Sequence, residues 1–281
     1  MEAKNKALSL NRVVPALIML ALAAVIVWLD SFWLGIAFVV LGIVAQMEMK
    51  AVYEKVIAKP YLVICLIPPV LFVLWIAYGP LDLPLLTIAL CFLAVLLGLL
   101  NWRRLMSTLL AAVYPGIPMF ALAALCLLGT YGTAAEKPLI QSCIIFVVGG
   151  VAAGDIAALI IGKRFGKRKL CLAISPGKTI AGLVAQLIAT PLFVCGVWFA
   201  VKEWFCPGFP IGDALILGIF CGPFAVVGDL YASWLKRKAG IKDFGKILGG
   251  HGGVLDRFDG MSFAALFAVL WFVSWQPFYF S

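Results

Sequence analysis

The sequence predicts an all-α polytopic membrane protein with about nine transmembrane helices, the N-terminus cytoplasmic and the C-terminus outside. Three observations carry this. Hydrophobic residues make up 64% of the 281 and charged residues only 12%, at a mean hydropathy of +1.11. A soluble fold could not cover such a core with polar surface, so lipid must be its main solvent. The apolar residues also fall in runs close to the roughly 20 residues that a helix needs to cross a bilayer core about 30 Å thick. Lastly, the cations collect on one side of those runs, as the positive-inside rule requires.

Charged and Pro/Gly-rich breaks divide the chain into spans at about 12–29, 31–47, 61–78, 84–100, 106–129, 139–161, 180–201, 211–235 and 261–280. Lys4, Lys6 and Arg12 make the first run resemble a signal sequence, but no small-residue cleavage site follows and further spans do. It is expected to be a retained helix. With alternation from a cytoplasmic N-terminus, all of the 22 Lys and Arg residues except Lys137 and Lys202 fall inside or at inner helix ends. The net charge of +9 therefore faces the anionic inner leaflet and any anionic ligand there. No soluble domain exists to present a basic face, so nucleic acid is not an expected partner. The eight cysteines form no CxxC pair and most lie in apolar runs, indicating neither a disulfide framework nor a cysteine metal site.

Residues 1–148 are expected to supply about five structural, lipid-facing helices, and 149–281 the polar chemistry. Two inner segments of that second region hold twelve of the 22 cations: Gly162–Lys178 and Ser233–Asp259. Each follows a helix carrying an aspartate seven residues before its end, Asp155 before Gly162 and Asp229 before Lys236. At 1.5 Å per residue these carboxylates lie roughly 10 Å into the apolar run. The bilayer penalises such groups, which makes them functional candidates. Asp155 stands among Gly149, Gly150 and Gly154, a pattern that equally suits tight helix packing.

Ser233–Asp259 concentrates six cations, three carboxylates and the chain's only histidine, His251. Asp256 and Asp259 are three apart where the last apolar helix should start, so both face one side. Hard oxygen ligands from one or two helices, with positions left for water and phosphate, suit Mg²⁺, and Asp229 could close that site. The glycines Gly249, Gly250, Gly252 and Gly253 allow backbone N–H groups to approach an anion, helped by the helix N-terminus. Lys236, Arg237, Lys242 and Arg257 could neutralise a polyphosphate, and His251 could face the same ligand. Metal, glycine loop and cations together are the parts of a phosphoryl-transfer site. No GxSxG elbow, Walker loop or GxGxxG is present.

Ser233, Leu235, Lys236, Arg237, Lys242, Asp243, Gly245, His251, Gly252, Gly253, Asp256, Arg257 and Asp259 fall in the order and spacing of a known signature. The chain thereby resembles the phosphatidate cytidylyltransferases, or CDP-diacylglycerol synthases. The resemblance extends through Gly228-Asp229-Leu230 and through SPGKTIAG, Ser175 to Gly182. It implies Mg²⁺-dependent transfer of CMP from CTP to phosphatidic acid, giving CDP-diacylglycerol and pyrophosphate, in a bacterial-type inner membrane with the active site on the cytoplasmic side. It implies metal binding by Asp229, Asp256 and Asp259, with a second cation left open, and Asp243 and Lys242 near the site. Ser175, Lys178 and Thr179 would contact a phosphate of CTP or lipid. A homodimer is also implied, though no residue marks an interface. An ionised phosphomonoester needs no strong general base, and none is nominated.

Ala181 departs from the family pattern, where a glutamate precedes the final glycine of the SPxKTxEG loop. Gly249 stands where proline is commoner, and Gly260 where serine is common. Three alternatives remain at this stage: a cytidylyltransferase for a polyprenyl or ether lipid phosphate, a CTP-dependent lipid kinase, and an ion-coupled transporter using Asp155 and Asp229.

Overall fold

Proline, glycine and charge set the ends of the helices in the computed structural model, which describes residues 31–78, 97, 100–131, 136–201, 208–247 and 252–279. Helix α1, Ser31–Val56, runs beyond the expected end at residue 47. Ala45, Met49, Val52 and Tyr53 continue a buried stripe at helical spacing, and that stripe carries the helix past Glu48 and Lys50. The span expected at 61–78 is instead divided into α2, Leu62–Cys65, and α3, Ile67–Tyr78. Pro68 and Pro69 occupy the first turn of α3, where a missing N–H costs nothing.

Helix α4, Leu100–Thr130, is interrupted over Ala112–Gly116. Tyr114 there is extended, with φ −140° and ψ 126°, because the residue before a proline is pushed out of the helical region by the ring of Pro115. Helices α5, Glu136–Phe165, α6, Ile180–Val201, α7, Ile211–Lys238, and α8, Leu255–Tyr279, complete the described bundle. Among the described residues six helices (α1 and α4 to α8) are long and apolar enough to cross a membrane. Of the other expected spans, 12–29 lies outside the described residues, 84–100 lies outside them except for positions 97 and 100, and α3 is a 12-residue helix.

The segment expected as a basic loop after α5 folds as an antiparallel hairpin, β1 Lys169–Cys171 with β2 Ser175–Thr179, pairing Lys169 with Thr179 and Cys171 with Ser175. Small residues let the last four helices approach closely. A Cβ at Gly150 of α5 would lie 3.0 Å from Val194 of α6, and one at Gly218 of α7 would lie 2.8 Å from the Pro191 backbone. At the α7–α8 crossing a Cβ on Gly260 would come 2.8 Å from the Ala225 carbonyl oxygen, and one on Gly228 would meet the backbone oxygen of Asp259. Helix α4 covers the other face of α8 and packs on α1, and buried Phe120, Leu125, Phe146, Ala264 and Ala268 form part of the shared core.

The cation-bearing ends meet at one end of the bundle. Arg104 Nε donates to the Lys59 carbonyl at 3.0 Å, and Arg237 Nε to the Ile174 carbonyl in the hairpin turn at 3.3 Å. Gly240, at φ +66°, terminates α7, with its N–H donating to the Arg237 carbonyl at 3.1 Å.

Candidate functional site

A cavity of about 610 Å³ lies between α5, the hairpin, α6 and α7. Lys163, Lys169 and Lys178 line it together with Asp155, Asp229 and Gln186, and Leu159, Leu183 and Val226 contribute apolar wall. Two polar links cross it. Lys178 Nζ forms an ion pair with Asp229 Oδ2 at 2.7 Å, and Gln186 Nε2 donates to Asp155 Oδ1 at 2.7 Å. Ser233, one turn beyond Asp229, donates to its Oδ1 at 3.4 Å. The SPGKTIAG segment and the Gly228-Asp229 step, far apart in the sequence, thus face each other directly.

Asp259 joins this group from α8. It is 9% exposed, and the close Gly228–Gly260 crossing brings it beside Asp229, whose negative charge it feels against the positive charges of Lys236 and Lys178. Its Oδ1 accepts from the Gly260 N–H at 2.8 Å. The Asp229 side chain, by contrast, is 41% exposed and lines the cavity; neighbouring carboxylates repel each other and attract counter-charge, and hard cations take such oxygen pairs readily.

Asp256 has different surroundings. Its Oδ1 pairs with Lys236 Nζ at 2.8 Å, and its Oδ2 accepts from the backbone N–H groups of Phe244 at 2.8 Å and Gly253 at 2.9 Å. Both side chains are largely buried, 6% exposed for Asp256 and 12% for Lys236. Gly252 holds this turn at φ +83°, where an added Cβ would also come 2.9 Å from Asp256 Oδ2. Among the described residues no three His, Cys, Asp or Glu side chains gather to hold a metal. Of the three aspartates expected to bind metal, Asp229 and Asp259 neighbour each other, whereas Asp256 is capped separately by Lys236 and two backbone N–H groups.

Glu48, in α1, completes the turn. Its Oε1 accepts from the Val254 N–H and its Oε2 from the Leu255 N–H, both at 3.0 Å, and its side chain fills the space beside Gly245 and Gly253. The first N–H groups of α8, which the glycine run offers for a phosphate, are thus taken by protein carboxylates. The helix starts at Leu255, where the Asp256–Asp259 spacing put its first turn and six residues before the apolar span expected from 261, with Glu48 and Asp256 capping it.

Of the remaining expected site residues, Ser175 and Thr179 line the cavity, and Thr179 Oγ1 accepts from the Gly182 N–H at 3.1 Å, capping α6. Arg237 bridges to the hairpin turn. Lys242 and Asp243 are exposed on the loop after α7, and Arg257 is exposed on α8. Gly249, Gly250 and His251 lie outside the described residues. Ala181 occupies the first turn of α6. Sequence reading missed Glu48 and Gln186. Glu48 carried the available signal, a carboxylate within an apolar helix, but ending that helix at residue 47 placed it in a loop.

The profile of the Cytidylyltransferase family matches residues 10–275. Curated relatives include phosphatidate cytidylyltransferases of Helicobacter pylori strain J99, 40% identical over 161 residues covering 57% of this chain and 54% of that protein, and of Aquifex aeolicus, 39% identical over 118 residues covering 41% of each. That of Brucella suis is 40% identical over 133 residues, 46% of each chain. The chain thus spans about half the length, or somewhat less, of these curated relatives.

Proposed function

The chain belongs to the Cytidylyltransferase family, and from that premise we propose that it transfers CMP from CTP to phosphatidic acid, forming CDP-diacylglycerol and pyrophosphate. The observation that carries this reading is the 2.7 Å Lys178–Asp229 ion pair, which joins the two motifs across one cavity with a cationic lining. Both reactants are anions, so the site must screen charge and align groups more than perform covalent chemistry. Lys163, Lys169 and Lys178 supply positive charge for phosphates, with Ser175 as a hydroxyl donor. Leu159, Leu183 and Val226 give the same cavity an apolar side suited to the lipid.

The Asp229–Asp259 pair fits Mg²⁺, which uses one or two carboxylates and fills its remaining positions with water and phosphate oxygen. When bound, that ion supplies charge neutralisation at the phosphoryl group under attack. Lys178 is placed to leave Asp229 for an incoming phosphate, because an ammonium on a four-carbon stem reorients readily. Asp256, Lys236 and Glu48 hold the turn and the start of α8, so that Asp259 stays aimed at Asp229. On this reading residues 149–281 carry the chemistry, and the N-terminal helices brace it through Glu48. The cavity end faces the cytoplasm, where CTP is available, in the inner membrane of a bacterial-type cell.

The test uses CTP labelled at the α- or the γ-phosphate, with Mg²⁺ and a panel of lipid phosphates in mixed micelles. The proposal expects α-label in CDP-diacylglycerol and release of pyrophosphate with phosphatidic acid. Transfer of γ-label would instead identify a lipid kinase, and preference for a polyprenyl or ether lipid phosphate would reassign the acceptor.

A further inference from the structure

Tyr114 is 2% exposed, and its hydroxyl has no hydrogen-bond partner among the described residues. A buried O–H left unpaired is costly, so its persistence calls for a partner that the described residues do not supply. The ring is gripped by the helices that carry the two facing carboxylates. Tyr231, two residues beyond Asp229 on α7, meets it edge-on with ring centroids 4.9 Å apart. Phe263, one turn beyond Asp259 on α8, lies at 5.7 Å. From α1, the Tyr53 hydroxyl donates to the Tyr114 carbonyl oxygen at 3.2 Å and fixes the extended backbone at the α4 break.

We infer that Tyr114 is a ligand-binding residue whose hydroxyl donates a hydrogen bond to an anionic or metal-bound oxygen entering at the Asp229–Asp259 pair. This rests on the proposed function, and it adds a contact from the N-terminal half of the chain. A phenol is protonated at neutral pH, so it gives a hydrogen bond without adding charge to an acidic site. The α4 break is then the device that delivers this donor, since a helical Tyr114 would follow a different direction from the backbone.

Tyr114→Phe removes only the oxygen. Purified full-length wild type and variant are compared by thermal unfolding in detergent, alone and with Mn²⁺, with CTP plus Mg²⁺, or with phosphatidic acid, and by steady-state kinetics. The variant is expected to be at least as stable as wild type without ligand. It should lose about half or more of the ligand-induced rise in Tm in at least one arm, and roughly tenfold in kcat/KM. A loss with Mn²⁺ alone assigns the oxygen to the metal shell; a loss only with CTP or only with lipid assigns it to that phosphate. Wild-type shifts in every arm, or a lowered ligand-free Tm, overturn the inference. If wild type itself makes no CDP-diacylglycerol, the functional reading fails, while the ligand-induced shifts still decide the tyrosine.

Discussion

Asp256 and Asp259 stand one helical turn apart, and their neighbours give them different work. Asp256 is saturated by Lys236 and two backbone N–H groups, so Asp256→Asn leaves a largely buried ammonium without its counter-charge. Breaking a buried pair in this way costs on the order of 3 kcal/mol, and thermal unfolding in detergent should show a clearly lowered Tm. Asp259→Asn should show the reverse: the substitution relieves repulsion with Asp229, so Tm should hold or rise. Equal stability of the two variants would contradict this division. Spacing in the sequence put both aspartates at the start of the last helix, and α8 contains both, but spacing cannot name partners. Those of Asp256 come from positions 236, 244 and 253, and only the folded turn brings them together.

At the level of elements, two contacts hold the acidic pair in place: the α7–α8 crossing and the α1 carboxylate on α8. Gly260→Ala would set a methyl group 2.8 Å from the Ala225 carbonyl oxygen. Overpacking of this kind costs about 1–3 kcal/mol, and because it separates Asp229 from Asp259 it should lower kcat as well as Tm, as a combined turnover and unfolding measurement would show. Glu48→Ala would strip the Val254 and Leu255 N–H groups of their acceptor, at a cost of about 1–3 kcal/mol. Glu48→Gln keeps one acceptor and should recover part of that loss in the same unfolding assay. The glycine seam of α5 could be read in advance, since Gly149, Gly150 and Gly154 announce close packing. The hairpin could not: a three-residue strand, Lys169–Cys171, is too short for a period of two to show against a background of lysine and arginine.

Across the whole molecule, the cation-rich ends, the cavity and the start of α8 share one end of the bundle, while Lys137, exposed near the start of α5, sits a full helix length from Lys163. Composition and hydropathy were enough to expect this layering, because they depend on the solvent and not on particular contacts. The binding of the N-terminal helices to the site was not readable, since Glu48 reaches residues more than 200 positions away and Tyr114 acts through a helix break. If Asp229 and Asp259 form the reacting centre of a CMP transferase, as proposed, pyrophosphate release from CTP, Mg²⁺ and phosphatidic acid should depend on both, measured for wild type, Asp229→Asn and Asp259→Asn in folded form. Wild type should release pyrophosphate rapidly and each variant should lose about 100-fold or more, the scale expected when a transition-state charge contact is removed. Wild-type release rates in either folded variant would contradict the proposal.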